Sequence, residues 1–262
     1  GLVDERFEDL SPPADIAERF PSERRTPDMP WLLVGRWSKG DSEPLVLPDS
    51  HRADARSWFE RYDDPFFDAT VDVPIGDARA AAKTLGVPFG VACVHALMRA
   101  IHAVPELRTR LVDGGVTSYP RLTISQTVLD HNEVVRFCTH DYDPDLATFA
   151  AITREAVENC LASTEPMPAD AGSDVVFVTN LPWFSFRSLK HARHFDKGHS
   201  VPRLAFGRVR KTPDGEALPV SLQIHHSLAD GLHLAHFFAF AERAFAELDE
   251  VAPTRATAEP DD

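Results

Sequence analysis

The pattern of hydrophobic and polar positions predicts strands and helices that follow one another between about residues 50 and 248. Branched and aromatic runs predict strands at residues 67–73, 116–129, 134–139, 175–178, 204–210 and 218–226. Apolar residues at three- and four-residue steps, or alanine-rich stretches, predict helices at residues 77–85, from Pro88 to a stop at Pro105, at 146–161 and at 232–248. One α/β domain, a mixed sheet covered by helices, is the simplest arrangement of these elements.

Turn residues and proline content divide the chain further. Thr212-Pro213-Asp214-Gly215 lies between two predicted strands, and its Pro-Asp-Gly sequence predicts a hairpin. Residues 1–50 are rich in proline and carry one apolar patch at 31–34, which predicts an extension wrapped over the body with little regular structure. Residues 249–262 are acidic and lack an apolar face, so we expect a flexible tail after a folded domain at residues 51–248.

Composition excludes several classes of protein. The 262 residues carry a net charge of −14, which repels phosphate backbones and anionic lipid headgroups, so nucleic acid and membrane partners are not expected. The longest apolar run, residues 89–98, is about half a membrane span. Three cysteines, Cys93, Cys138 and Cys160, lack the paired spacing of a zinc or redox motif and indicate reduced core thiols in a cytoplasmic protein.

The segment at residues 218–231 contains the strongest candidate for chemistry. Strand alternation places His226 on the apolar face of the strand and His225 on the other face. Asp230 follows past a tight bend, before Gly231, whose backbone freedom suits the turn into a helix. An imidazole withdrawn from bulk water with a carboxylate near it makes a plausible general base with an orienting partner.

Structural and metal-binding alternatives also fit these residues. A single histidine on an apolar strand face is more often a hydrogen-bonded core residue than a catalyst, and Asp230 is well placed to cap the following helix. A metal site would use His226, Asp230 and either His233 or His236 as ligands. Such a site would spread its ligands over a strand, a bend and a helix, so no metal is expected.

Four motifs, in order along the chain, resemble those of the chloramphenicol acetyltransferase family. They are Phe59-Glu60-Arg61-Tyr62, Pro105-Glu106-Leu107-Arg108 followed by Asp113-Gly114, Leu181-Pro182-Trp183-Phe184-Ser185-Phe186-Arg187-Ser188, and His225-His226-Ser227-Leu228-Ala229-Asp230-Gly231. The resemblance covers roughly residues 50 to 248 and implies that family's single-lobe α/β sandwich. No Gly-x-Ser-x-Gly elbow is present, which argues against a serine hydrolase.

The resemblance assigns roles to three residues. It implies that His226 is the general base that deprotonates a substrate hydroxyl as the hydroxyl attacks the thioester of acetyl-CoA. Ser188 would stabilise the tetrahedral oxyanion, and Asp230 would pair with an arginine and hold the motif in shape. It also implies a homotrimer whose active sites lie at subunit interfaces, with acetyl-CoA as a co-substrate and no tightly bound cofactor.

Further positions follow from the same resemblance. Tyr62 and Phe67 match aromatic positions around the family's acceptor pocket, and Arg208 falls near a lysine that meets CoA phosphate. Two arginines, Arg52 and Arg56, are candidates for the partner of Asp230, and the sequence leaves the choice open.

One departure from the family bears on the acceptor. Near position 204, where the family has a water-holding threonine, this chain has Leu204 and Ala205. We therefore expect an acyl-CoA-dependent O-acyltransferase that uses chloramphenicol poorly and a more apolar hydroxyl compound better. Two alternatives remain: an enzyme of specialised metabolism with a different acceptor or repurposed chemistry, and a catalytically silent binding protein.

Overall fold

The computed structural model describes residues 45–47, 52–163, 172–192 and 199–248. The predicted extension at residues 1–50, with its patch at 31–34, and the predicted tail at 249–262 lie outside the described residues, apart from strand β1, Leu45–Leu47. The boundaries of the folded domain therefore stay predictions.

The strands form two sheets. After β1 come β2 Phe66–Pro74, β3 Thr109–Val112, β4 Gly115–Ser118, β5 Thr123–Leu129, β6 Val135–Asp141, β7 Val175–Leu181, β8 Arg203–Gly207, β9 Arg210–Thr212 and β10 Gly215–His225. The larger sheet runs β2-β10-β8-β7-β5-β6, with β9 paired to β10, and a small sheet runs β1-β4-β3. Because β7 is parallel to both neighbours and the other pairs are antiparallel, the large sheet is mixed, as predicted.

Five helices accompany the strands within the described residues. They are α1 Ala53–Phe59, α2 Ala78–Thr84, α3 Phe89–Ala103, α4 Leu146–Ala162 and α5 Gly231–Ala246, and a 3-10 turn, Pro105–Arg108, follows α3. Helices α3 and α5 pack on each other and on the large sheet, and their apolar faces form the main core with residues such as Leu97, Phe237 and Leu222. No single described helix has the length and apolar character to cross a bilayer, although the pair α2 and α3, bent by 117°, passes that test together.

Two predicted strands are each divided in the structure. The strand expected at residues 116–129 is β4 and β5, which belong to different sheets. Pro120 between them lacks the N–H that a continuous ladder needs, and Tyr119 donates its N–H to the carbonyl of Arg108 instead. The strand expected at 204–210 is β8 and β9, because the N–H of Arg208 donates to Phe184 rather than to a neighbouring strand. The predicted hairpin is therefore β9–β10, with Thr212 opposite Gly215.

Candidate active site

The histidine pair lies where strand β10 ends and the chain bends toward helix α5. His225 is the last residue of β10, and His226 donates its N–H to the carbonyl of Pro65 at 2.8 Å. The ring of His225 contacts Phe66, whereas the ring of His226 contacts Phe67. Because Phe66 and Phe67 are successive residues of β2, the two imidazoles lie on opposite faces, as the alternation predicts.

The imidazole of His226 is held between two aromatic rings. It stacks on Phe59 with 3.7 Å between ring centroids and an interplanar angle of 9°, and the ring of Phe67 lies at 4.2 Å. Its Nδ1 is buried and has no hydrogen-bond partner among the described residues. Phe67 is one of the residues that the sequence analysis names around the acceptor pocket. Phe59 entered that analysis only as part of a motif and not as a site residue. The signal available in the sequence was its place in the Phe59-Glu60-Arg61-Tyr62 motif.

The burial of the histidine pair differs from the expectation. We expected the imidazole of His226 to be the one withdrawn from water, but His226 is half-buried whereas His225 is 2% exposed. His226 lies one residue beyond the last paired position of β10, His225 opposite Phe66, and its ring is covered only in part. His225 Nδ1 accepts the N–H of Ser227 at 3.3 Å, which makes His225 a hydrogen-bonded core residue.

Asp230 has two structural functions in the described residues. It caps helix α5 by accepting the N–H of Leu232 at 3.1 Å, as the capping alternative predicted. It also pairs with Arg52, whose Nη1 lies 2.7 Å from Asp230 Oδ2. Nε of Arg56 instead lies 3.8 Å from Oε1 of Glu60. Of the two candidate arginines, Arg52 is therefore the partner of Asp230. Burial alone would raise the pKa of Asp230, but the hydrogen bond from Arg52 and the nearby positive charges lower it below its ordinary value.

Ser188 lies on an exposed segment after β7. The carbonyl of Phe184, in the same segment, accepts the N–H of Arg208 at 2.9 Å, which anchors the segment to the end of β8. The side chain of Trp183 is 57% exposed. No hydrogen bond or ion pair joins Ser188 to another described residue. Within one chain, therefore, no such contact connects Ser188 to His226.

The remaining predicted positions, Tyr62 and Arg208, are both exposed. Tyr62 is 51% exposed, and its ring centroid is 5.9 Å from that of Phe59, which stacks on His226. Arg208 is exposed and follows β8, not within a strand as expected. No ion pair joins Arg208 to any residue that the structure describes, so its guanidinium is available to an anion.

Leu204 and Ala205, where the resemblance implies a threonine, lie on opposite faces of the sheet. Leu204 pairs with Leu222 and belongs to the apolar core between sheet and helices. Ala205 pairs with Ser221, so it shares the polar face of β10 with Gln223. Leu204 is therefore a packing residue, and Ala205 is the one of the two that lies on the polar face.

Two of the alternative metal ligands, Asp230 and His233, contact each other. Nδ1 of His233 lies 2.8 Å from Asp230 Oδ1, and its Nε2 lies 3.4 Å from Glu106 Oε1. Within the described ranges, no group of three or more His, Cys, Asp or Glu residues is arranged to hold a metal ion.

Comparison with known proteins gives one consistent result. The family model described as chloramphenicol acetyltransferase matches residues 47–241. Chloramphenicol acetyltransferase 2 of Escherichia coli is 26% identical over 174 residues, which are 65% of this chain and 81% of the relative. A solved chloramphenicol acetyltransferase superposes with a TM-score of 0.69 at 22% identity, covering 78% of this chain and all of that one (100%). A probable dihydrolipoamide acetyltransferase from Listeria monocytogenes shares the fold with a TM-score of 0.52.

The mixed sheet and the covering helices form the α/β fold of these structural neighbours. The chain belongs to the chloramphenicol acetyltransferase family, whose model matches most of it. It is therefore an acetyltransferase that uses acetyl-CoA as its co-substrate. Of the alternatives left open by the sequence, the catalytically silent binding protein is set aside.

Proposed function

We propose that the enzyme transfers the acetyl group of acetyl-CoA to a hydroxyl of a small molecule, with His226 as the general base. The observation that carries the proposal is the ring of His226, which stacks on Phe59 and contacts the tilted ring of Phe67, with Nδ1 buried. With Nδ1 inside the protein, Nε2 is the nitrogen that an acceptor hydroxyl meets. A ring fixed in this way has the geometry that general-base catalysis requires.

The proposed reaction needs no covalent enzyme intermediate. Nε2 of His226 takes the hydroxyl proton while the hydroxyl oxygen forms a bond to the thioester carbonyl carbon. The carbonyl oxygen becomes an oxyanion, and the intermediate then breaks the carbon–sulfur bond. The CoA thiolate leaves and takes the proton from the imidazolium, so the products are the acetyl ester and CoA.

Ser188 is proposed to donate its hydroxyl to the oxyanion of a site formed with a neighbouring subunit. Its exposure, next to the exposed rings of Trp183 and Phe184, supports a segment that another copy of the chain would cover. We propose that the assembly is a homotrimer with shared sites, as the resemblance to the family implies. An oxyanion donor of this kind contributes about 10²–10³-fold to kcat.

Substrate contacts are proposed on both sides of the base. Tyr62 and Phe67 would hold the acceptor, since both lie near the aromatic stack of His226. The free guanidinium of Arg208 would meet a CoA phosphate. Ala205 on the polar face offers no hydroxyl, so an acceptor group that needs a polar anchor there loses about 1–3 kcal/mol. The proposed acceptor is thus more apolar than chloramphenicol.

Thiol release from acetyl-CoA in the presence of a panel of hydroxylated acceptors, chloramphenicol included, tests the proposal. We expect measurable transfer, with chloramphenicol a weak acceptor. His226→Ala should lower the rate by ~10²- to 10⁴-fold, because it removes the positioned proton acceptor. His131→Asn, at an exposed residue of the β5–β6 turn, is the matched control.

Two results would contradict separate parts of the proposal. A wild-type rate in folded His226→Ala would remove the histidine from the mechanism. A specificity constant of ~10⁴–10⁸ M⁻¹s⁻¹ for chloramphenicol would be that of an evolved substrate and would contradict the apolar acceptor.

A further inference from the structure

A chain of charged contacts leads from the end of helix α3 to the backbone of His226. Glu106 Oε1 is 3.4 Å from His233 Nε2, and His233 Nδ1 is 2.8 Å from Asp230 Oδ1. Asp230 Oδ2 is 2.7 Å from Arg52 Nη1, and Arg52 Nη2 donates to the carbonyl of His226 at 3.3 Å. The groups therefore alternate in charge and end on the peptide group of the proposed base.

These side chains come from three separate parts of the fold. Glu106 lies on the 3-10 turn after α3, His233 in the first turn of α5, Asp230 at its N-cap and Arg52 just before α1. Packing of α3 on α5 brings the 3-10 turn to the start of α5. The cap of α5 is reciprocal: Asp230 accepts the N–H of Leu232, and His233 Nδ1 accepts the N–H of Asp230 at 3.0 Å. Capping does not explain the contacts of this pair with Glu106 and Arg52.

The charges in this cluster reinforce one another. Burial would lower the pKa of His233, but the hydrogen bond to Glu106 and the carboxylates of Glu106 and Asp230 raise it above its ordinary value, against the opposing charge of Arg52. Burial would raise the pKa of Glu106, but His233 lowers it below its ordinary value. On its own helix, His233 faces the ring of His236, with 6.4 Å between centroids. Nε2 of His233 therefore faces the carboxylate of Glu106, whereas Nδ1 is held by the backbone N–H of Asp230.

We propose that Glu106 and His233 are positioning residues for acetyl transfer, which hold Asp230 and Arg52 in the arrangement that fixes the backbone of His226. The inference rests on the proposed function, because it assigns His226 as the base. Neither residue needs to touch a substrate. Their effect reaches the reaction through the orientation of the imidazole, and misplacement of a reacting group by about 1 Å costs ~10²-fold in rate.

The first test compares kcat and KM in Glu106→Gln, His233→Gln and the double variant, with Glu158→Gln on the exposed face of α4 as the matched control. We expect Glu106→Gln to lower kcat by ~10- to 10²-fold with KM for acetyl-CoA nearly unchanged. If Glu106 acts through His233, the double variant will match His233→Gln alone. Additive losses, or a kcat for Glu106→Gln equal to that of Glu158→Gln, would overturn the proposal.

The second test follows the imidazoles by NMR titration of 15N-histidine-labelled protein and needs no acceptor. Glu106→Gln should lower the pKa of His233, because a carboxylate that stabilises the charged ring is gone. It should also move the ring resonances of His226, whereas Glu158→Gln should leave both unchanged. Unchanged His226 resonances would overturn the positioning role. Absence of acetyl transfer in the wild-type enzyme would instead overturn the proposed function, so the two failures are distinguishable.

Discussion

At the scale of single residues, three buried histidines form an aromatic cluster away from the candidate active site. His95 and His102 of α3 and His140 of β6 pack with Tyr142 and Phe149. His95 Nε2 donates to the carbonyl of Pro144 at 3.0 Å. Burial disfavours the charged ring and lowers the pKa of His95 to about 4 and that of His102 to about 3.

Acid should therefore destabilise the fold through these rings. The unfolded chain binds protons at these histidines near pH 6.5, whereas the folded chain keeps the rings neutral, so stability falls as pH drops from about 6.5 toward the folded pKa values. Taken alone, His95 should cost ~2–3 kcal/mol at pH 4 relative to pH 7. Urea unfolding across this range measures the effect.

His95→Gln is the matched variant for this prediction. Glutamine keeps an N–H for the carbonyl of Pro144 but cannot be protonated. The variant should show a shallower loss of stability between pH 6.5 and pH 4 than the wild type. An identical slope would mean that His95 does not titrate on unfolding in this range.

At the scale of elements, Gly207 sets how the segment that carries Ser188 packs on strand β8. A Cβ at Gly207 would lie 2.8 Å from the carbonyl oxygen of Phe184 and 3.0 Å from the ring of Phe186. Because one of these contacts is with backbone, the segment must move to accept even a methyl group. The small size of Gly207 therefore lets the segment that carries Ser188, the proposed oxyanion donor, pack closely against the end of β8.

Gly207→Ala is expected to lower kcat for acetyl transfer, because the added methyl group displaces the segment that carries Ser188. The protein is expected to stay folded, with a Tm near that of the wild type. Gly115→Ala, where the added Cβ would meet its nearest backbone atom at an ordinary 3.6 Å, is the control and should leave kcat unchanged. Steady-state kinetics and thermal unfolding of both variants measure the difference. Equal kcat values for the two variants would show that the segment tolerates the shift.

At the scale of the whole molecule, assembly follows from the proposal that Ser188 and His226 meet across subunits. Light scattering should give a mass of about three times 29.1 kDa, the mass of one chain. An active monomer would contradict shared sites. Subunits that carry Ser188→Ala and subunits that carry His226→Ala, each inactive, should regain roughly a quarter of wild-type activity after equal mixing, because only that share of interfaces joins two intact residues. No recovery in mixed trimers would contradict the shared site.

Much of the fold follows from local pattern. The spacing of apolar residues in α3 and α4 and the branched run of β7 predict these elements to within a few residues, because one face or both must be buried. Strand alternation predicts opposite faces for His225 and His226. The order of the four motifs along the chain indicates the family, because that order can be seen in the sequence without any knowledge of tertiary contacts.

Other features depend on contacts between residues far apart in sequence. The division of the predicted strand at 116–129 reflects two different sheet partners, and the choice of Arg52 over Arg56 depends on how α1 meets the start of α5. The greater burial of His225 comes from the strand pairing that ends there. A sequence pattern determines which face a side chain occupies, whereas only the packed tertiary structure decides what covers that face and which charges meet across it.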